Sequence, residues 1–180
     1  MTTVPLSPFA TNQDLDPGRL RQAFGVFPSG VVAVAAEVDG VLLGLAASSF
    51  TSVSLDPPLV SFSIANTSKT WPDLRRARHL GVTILADHHG TVCRQLAGPV
   101  EARFDGVDVT VTDEGAVTLE DGLASFDCTI YNEVIAGDHT IILLRLHAVR
   151  HVDPTLDPAD PAAVAPGPLV FHRSGFSALV

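Results

Sequence analysis

The sequence predicts a mainly β fold, a closed antiparallel barrel with small helices at its ends. Three observations predict it. With 14 glycines and 13 prolines, the chain is cut into short segments, which suits many strands better than a helix bundle. Apolar and β-branched residues recur in runs of strand length, several alternating with period two. Asp39-Gly40 and the Ala136-Gly137-Asp138-His139 segment each separate two such runs, as hairpin turns do.

The first element is a short helix over 16–27. Asp16 is its N-cap, Pro17 its first residue, and Leu20, Ala23, Phe24 and Phe27 share one face. Pro28-Ser29-Gly30 ends it. Residues 31–38 form a strand, Asp39-Gly40 turns, and 41–49 return. A hydroxyl-rich stretch and a Pro57-Pro58 corner lead to a third strand, where Val60, Phe62 and Ile64 alternate with Ser61 and Ser63. After a polar loop, Thr70 is placed as the N-cap of a helix and Asp73 for a capping box. Residues 79–86 read as strand, and 91–97 as a helix stopped by Gly98-Pro99. Val107, Val109 and Val111 alternate with polar residues, and 125–134 pairs with 140–152. The stretch 153–168 holds five prolines and reads as loop. A last strand, 169–172, runs into Arg173-Ser174-Gly175-Phe176. No repeat or linker divides the chain, which predicts a flexible segment over 1–15 and one domain over 16–180.

Composition excludes several functions. The net charge is −9, with no basic cluster longer than Arg75-Arg76-Ala77-Arg78, which opposes binding to nucleic acid or an anionic membrane. No apolar run approaches the roughly 20 residues that span a bilayer, and the N-terminal residues lack a signal-peptide pattern. Isolated Cys93 and Cys128 read as buried thiols of a reducing compartment, so a cytoplasmic location is expected. His88-His89, beside Asp87, reads as two adjacent rings that do not converge and lack a third ligand. His147 and His151 are likewise separated, so no metal site is expected. No Rossmann or P-loop signature is present.

The chemistry concentrates between Gly44 and Val60. A strand ends there in small residues, hydroxyls and backbone amides, which suits a flat, polar-edged ligand. Ser63-Ile64-Ala65 ends the next strand, and Ser68-Lys69-Thr70 opens a helix. Amides at a helix start together with a lysine suit a phosphate. A flat pocket beside a phosphate site describes a flavin mononucleotide cavity.

These residues carry a resemblance. The run from Gly44 through Leu45, Ala46, Ala47, Ser48, Ser49, Phe50 and Thr51 to Leu59 resembles the ring- and ribityl-contacting segment of the flavin reductase-like family. Ser63, Ile64 and Ala65 match its flavin-facing strand end, and Ser68, Lys69, Thr70 and Trp71 its phosphate element. Leu96 and Ala97 stand where that family carries Arg-Phe, with Arg94 nearby. Gly137-Asp138-His139-Thr140 matches a turn whose histidine lies where nicotinamide stacks. His172, Arg173, Ser174 and Gly175 match a terminal element that meets the dinucleotide.

The resemblance implies a six-stranded Greek-key split β-barrel, the FMN-binding split barrel. It implies an NAD(P)H-dependent oxidoreductase that passes hydride from NADH or NADPH to FMN or FAD, with His139 as the catalytic residue. It further implies a homodimer and a partner flavin-dependent monooxygenase that receives reduced flavin. A split-barrel flavoprotein that keeps its flavin to reduce an organic substrate, and a non-catalytic flavin binder, are the alternatives.

Overall fold

The computed structural model describes residues 15–151 and 166–178. The expected flexible segment 1–15 and the proline-rich stretch 153–168 thus fall almost wholly outside the described residues. The chain opens on helix α1 (Pro17–Phe24), capped as expected: Asp16 Oδ1 accepts from Gly18 N at 2.8 Å and Arg19 N at 3.1 Å. Strands β1 (Ser29–Gly30), β2 (Val32–Val38), β3 (Val41–Ala47), β4 (Thr51–Leu55) and β5 (Pro58–Ala65) follow. Helix α2 (Trp71–Leu74), β6 (Leu80–Ile84), helix α3 (Gly90–Leu96), β7 (Val109–Val111) and β8 (Val117–Leu119) come next. Two long strands, β9 (Ala124–Ala136) and β10 (His139–His151), and the hairpin β11 (Leu169–His172) and β12 (Gly175–Ala178) complete the order.

The main sheet has seven strands in the order β3-β2-β6-β9-β10-β5-β4, all antiparallel. The mainly β class with few helices is as expected, while a six-stranded closed barrel is not found among the described residues. β3 and β4 are the two edges, and no ladder joins them among the described residues. Four short strands escaped the sequence. β4 is an edge strand whose hydroxyls look like loop, β8 is only three residues long, β12 begins on glycine, and β1 is two residues.

Both predicted hairpins are present. Asp39 and Gly40 adopt φ of 52° and 77°, the left-handed pair that a two-residue turn with strand-compatible twist requires. β9 and β10 pair from His139↔Ala136 to His151↔Ala124.

β2 is buried on both faces, which explains its unbroken apolar run. Val32, Val34 and Ala36 pack inside the curled sheet with Phe62, Leu80, Val82, Ile142 and Leu144. Ala33 packs outside it with Leu85, Cys93, Leu96 and Leu169, against α3 and β11. Gly81 lets β8 cross β6: a Cβ there would lie 1.9 Å from Val117 O.

Two expected caps are absent. Thr70 is in helical conformation and makes no side-chain cap; Ser68 Oγ instead accepts from Trp71 N at 3.2 Å. Asp73 closes no capping box and stands 3.9 Å from Arg76. The apolar face of α1 is also not buried within the chain: Phe24 and Phe27 are 68% and 76% exposed.

Candidate functional site

The carboxyl end of β3 and the loop to β4 form one wall of a cleft of about 520 Å³. Ser48, Ser49, Phe50 and Thr51 stand on this wall, opposed by Arg21, Phe24 and Phe27 of the α1 region and by Phe171 of β11. A second space of about 280 Å³, sharing Ser48 and Phe171 with the first, continues along Ala46, Ala47, Cys93 and Ala97. The two together are hydroxyl-lined on one side and aromatic on the other. A planar ring with a polar edge fits such a lining and volume.

Ser49 explains how the wall is held. β5 is covered by β10 on one side, but the β4 ladder on the other side stops at Thr51↔Ser61. Ser63 therefore has no strand partner on that side. Ser49 Oγ replaces one, accepting from Ser63 N at 2.9 Å and donating to Ser63 O at 3.1 Å. This brings the end of β3 onto β5 across the open seam of the sheet.

A third cleft of about 350 Å³ holds Ile64, Ala65 and Ser68, with Trp71, Arg75 and Glu133. Glu133 accepts from Trp71 Nε1 at 3.2 Å and from Arg75 at 2.7 Å, fixing α2 to β9. A fourth, of about 320 Å³, lies between Arg21 and Gln22 of α1 and the turn at Arg173 and Ser174. Arg173 and Ser174 adopt φ of 49° and 62°, and Arg173 N donates to Gly25 O at 2.8 Å, docking the β11–β12 turn on the end of α1.

Several sequence-predicted residues have other surroundings. Gly44 is buried beneath Phe104, where a Cβ would lie 2.6 Å from the ring Cζ. Leu45 and Leu96 point into the two cores. Thr70 is buried and its Oγ1 accepts from Arg103 at 2.7 Å. Lys69 is exposed, and His172 and Gly175 flank the terminal turn. None of these seven lines a cleft named here.

His139 opens β10, its side chain 46% exposed, with Nδ1 2.8 Å from Asp138 Oδ1. That hydrogen bond and the imidazole's charge hold the Asp138 carboxyl below its ordinary range, and Arg21 adds a weaker pull. The β9–β10 turn is set by a residue that sequence reasoning passed over as loop. Asn66 N donates to Asp138 O at 2.9 Å, its Nδ2 donates to Gly137 O at 3.1 Å, and its Oδ1 accepts from Thr140 Oγ1 at 2.8 Å.

Sequence reasoning also missed Arg21, Phe24, Phe27 and Phe171 as cleft residues. The apolar side of an amphipathic helix reads as a packing face, and nothing local shows that it lines a cavity. The reading of His88 and His89 needs correction. Their rings approach to 4.1 Å, and both come within 4.8 Å of Asp121. Chemistry nevertheless opposes a metal there. Nδ1 of His89 accepts from Ala86 N at 3.0 Å, so in the neutral ring the proton sits on Nε2, leaving it no lone pair to donate. Burial, then His88, lowers the His89 pKa, which favours the neutral ring.

A flavin reductase of Pseudomonas putida is 36% identical over 163 residues, covering 90% of this chain and 89% of its own. The reductase subunit HsaB of a flavin-dependent monooxygenase of Rhodococcus jostii is 32% identical over 138 residues, covering 77% of this chain and 71% of its own. The NADH:FAD oxidoreductase SgcE6 of Streptomyces globisporus, solved with NAD and FAD fragments, superposes with a TM-score of 0.81 at 27% identity, covering 97% and 98% of the two chains. The flavin reductase like domain family matches residues 24–179, so the chain belongs to the flavin reductase-like family.

Proposed function

We propose that the contiguous cleft between β3, α1 and β11 takes FMN or FAD, and that NADH or NADPH enters beside it as hydride donor. The chain is a flavin reductase, an oxidoreductase whose reduced flavin serves a partner monooxygenase. The observation that carries the site reading is the lining itself. Ser48 and Thr51 offer hydroxyls to a polar ring edge while Phe24, Phe27 and Phe171 supply apolar contact.

The bound pair supplies the whole redox chemistry, since hydride moves from nicotinamide to flavin without a protein base. The protein's part is to hold two flat rings in register and exclude water. His139, oriented by Asp138 on a turn that Asn66 fixes, is the proposed catalytic residue at the nicotinamide face. Arg21 and Arg173 flank the small cleft at the end of α1, which suits the phosphates of a dinucleotide. Lys69, and the hydroxyl of Ser68 on the separate cleft beside α2, are the proposed partners of a flavin phosphate.

We further propose a homodimer in the cytoplasm. Phe24, Phe27, Leu55 (97% exposed) and Ile135 (82% exposed) are apolar and uncovered within one chain, which supports burial against a second copy. No helix among the described residues is long and apolar enough to cross a membrane. Light scattering with flavin bound tests the assembly: a mass near the single chain's 18.9 kDa refutes it.

Steady-state oxidation of NADH and NADPH, with FMN, FAD and riboflavin in turn, tests the function. Turnover on the order of 1–10³ per second is expected with the preferred pair. No flavin-dependent oxidation with either nicotinamide overturns the proposal.

A further inference from the structure

We propose that Arg103 is a positioning residue whose guanidinium sets the width of the cavity between β3 and α3. The proposal rests on the reading of that cavity as the flavin site. Arg103 lies just beyond a 3-10 turn, Val100–Ala102, and reaches back across three segments. Its Nη1 donates to Gly44 O and to Thr70 Oγ1, each at 2.7 Å, and its Nε donates to Gly98 O at 3.0 Å.

Those acceptors sit at informative places. Gly44 is two residues before Ala46 and Ala47, which line the cavity from β3. Gly98 directly follows Ala97, which lines it from the end of α3. Thr70 precedes α2, tying in the segment that carries Ser68. A guanidinium presents its donors in a rigid planar fork, so it fixes the angles between its acceptors as well as their distances.

Phe104, the next residue, fills the space over Gly44, so one short segment both packs β3 and pins it. Ala46 and Ala47 of β3 and Ala97 at the end of α3 are too small to prop the gap by their own bulk, and the larger Arg94 of α3 lies over the Phe176 ring, 5.5 Å from its centroid. Two of the three acceptors are backbone carbonyls, which no side-chain change in β3 or α3 would remove. Burial lowers the pKa of the guanidinium, yet an arginine so placed remains charged. Its bonds are therefore charge-assisted and stronger than neutral ones.

The two cysteines supply a direct readout. Cys93 lines the cavity, whereas Cys128 is fully buried in the main core, in contact with no cleft named here. Labelling flavin-free protein with a chromogenic aromatic disulfide separates local opening from global unfolding, because only the latter exposes Cys128. Arg103→Met should label Cys93 about ten-fold faster than wild type while Cys128 keeps its rate. Arg103→Lys, with the charge but not the fork, should fall between them.

An unchanged Cys93 rate, or equal acceleration at both cysteines, overturns the proposal. If Arg103→Met does not fold, Thr70→Val removes one acceptor and is read the same way: selective acceleration at Cys93 supports the assignment and its absence overturns it. Added FMN should protect Cys93 in wild type. Selective acceleration without FMN protection overturns the site reading while leaving the spacer role of Arg103 intact.

Discussion

Ser49→Ala tests whether a single hydroxyl closes the seam of the sheet. Ser49 Oγ both accepts from Ser63 N and donates to Ser63 O, so the substitution removes two hydrogen bonds at once. Each net bond contributes about 0.5–1.5 kcal/mol. Because the site is solvent-accessible, water re-satisfies part of what Ser63 loses, and the lower half of that range applies. The expected cost is about 1–2 kcal/mol, which for a domain of this size lowers Tm by about 2–8 °C. The larger consequence is functional. Ser49 and its neighbours Ser48, Phe50 and Thr51 are one wall of the cleft, and this side chain extends the hold on β5 beyond the Thr51↔Ser61 end of the β4 ladder. Flavin affinity should therefore fall by more than the lost contact of one hydroxyl, and Ser49→Thr, which keeps the oxygen, should recover most of it. Thermal unfolding without ligand and fluorescence titration with FMN measure the two effects separately. A variant whose Tm and FMN affinity both match wild type refutes the latch.

His139→Ala should slow reduction of bound flavin by nicotinamide in stopped-flow mixing while leaving flavin affinity close to normal; an unchanged rate returns His139 to an ordinary turn residue. Lys69→Ala should weaken FMN by only about two- to five-fold, and riboflavin not at all, because an exposed lysine is screened by solvent. Equal weakening of both ligands removes Lys69 from the phosphate site. Burial first, and the Asp127 carboxylate second, push the Cys128 thiol up to about 12. The unfolded thiol ionises near pH 9, so stability is intact below that pH and falls between about pH 9 and 12, by at most about 1.4 kcal/mol per pH unit. Cys128→Ala should flatten this alkaline limb in urea titrations, and an undiminished slope contradicts it.

What the sequence disclosed follows from how local each signal is. The cap at Asp16, the turn at Asp39-Gly40 and the alternation of Val60, Phe62 and Ile64 are set by neighbours in the chain, and all three are found in the structure. Thr70 misled for the opposite reason. Its position looks like an N-cap, but Arg103, 33 residues away, takes its hydroxyl, and Ser68 caps the helix instead. Strand β4 was missed in a similar way. Thr51-Ser52-Val53-Ser54-Leu55 is short, rich in hydroxyls and largely exposed, so it carries no clear buried face, and its pairing with β5 is what marks it as a strand.

The same distinction divides the site. The segment from Ala46 to Thr51 was legible because its small and hydroxyl residues are contiguous, and the structure lines two joined clefts with them. The opposing wall comes from α1 and β11, more than 100 residues apart in sequence, so no spacing could reveal it. Within the motif itself, burial sorts residues that the sequence treats alike. Gly44 and Leu45 anchor the strand beneath Phe104 and in the main core, while Ser48 and Thr51 reach the cavity. Ser49 does both, since its oxygen is committed to Ser63 at the cleft's edge. A motif therefore marks a stretch of chain whose residues divide between holding the wall and lining the cleft. Here the holding half is the part that substitution would damage first, because Gly44 has no room for a Cβ and Ser49 has no substitute across the seam.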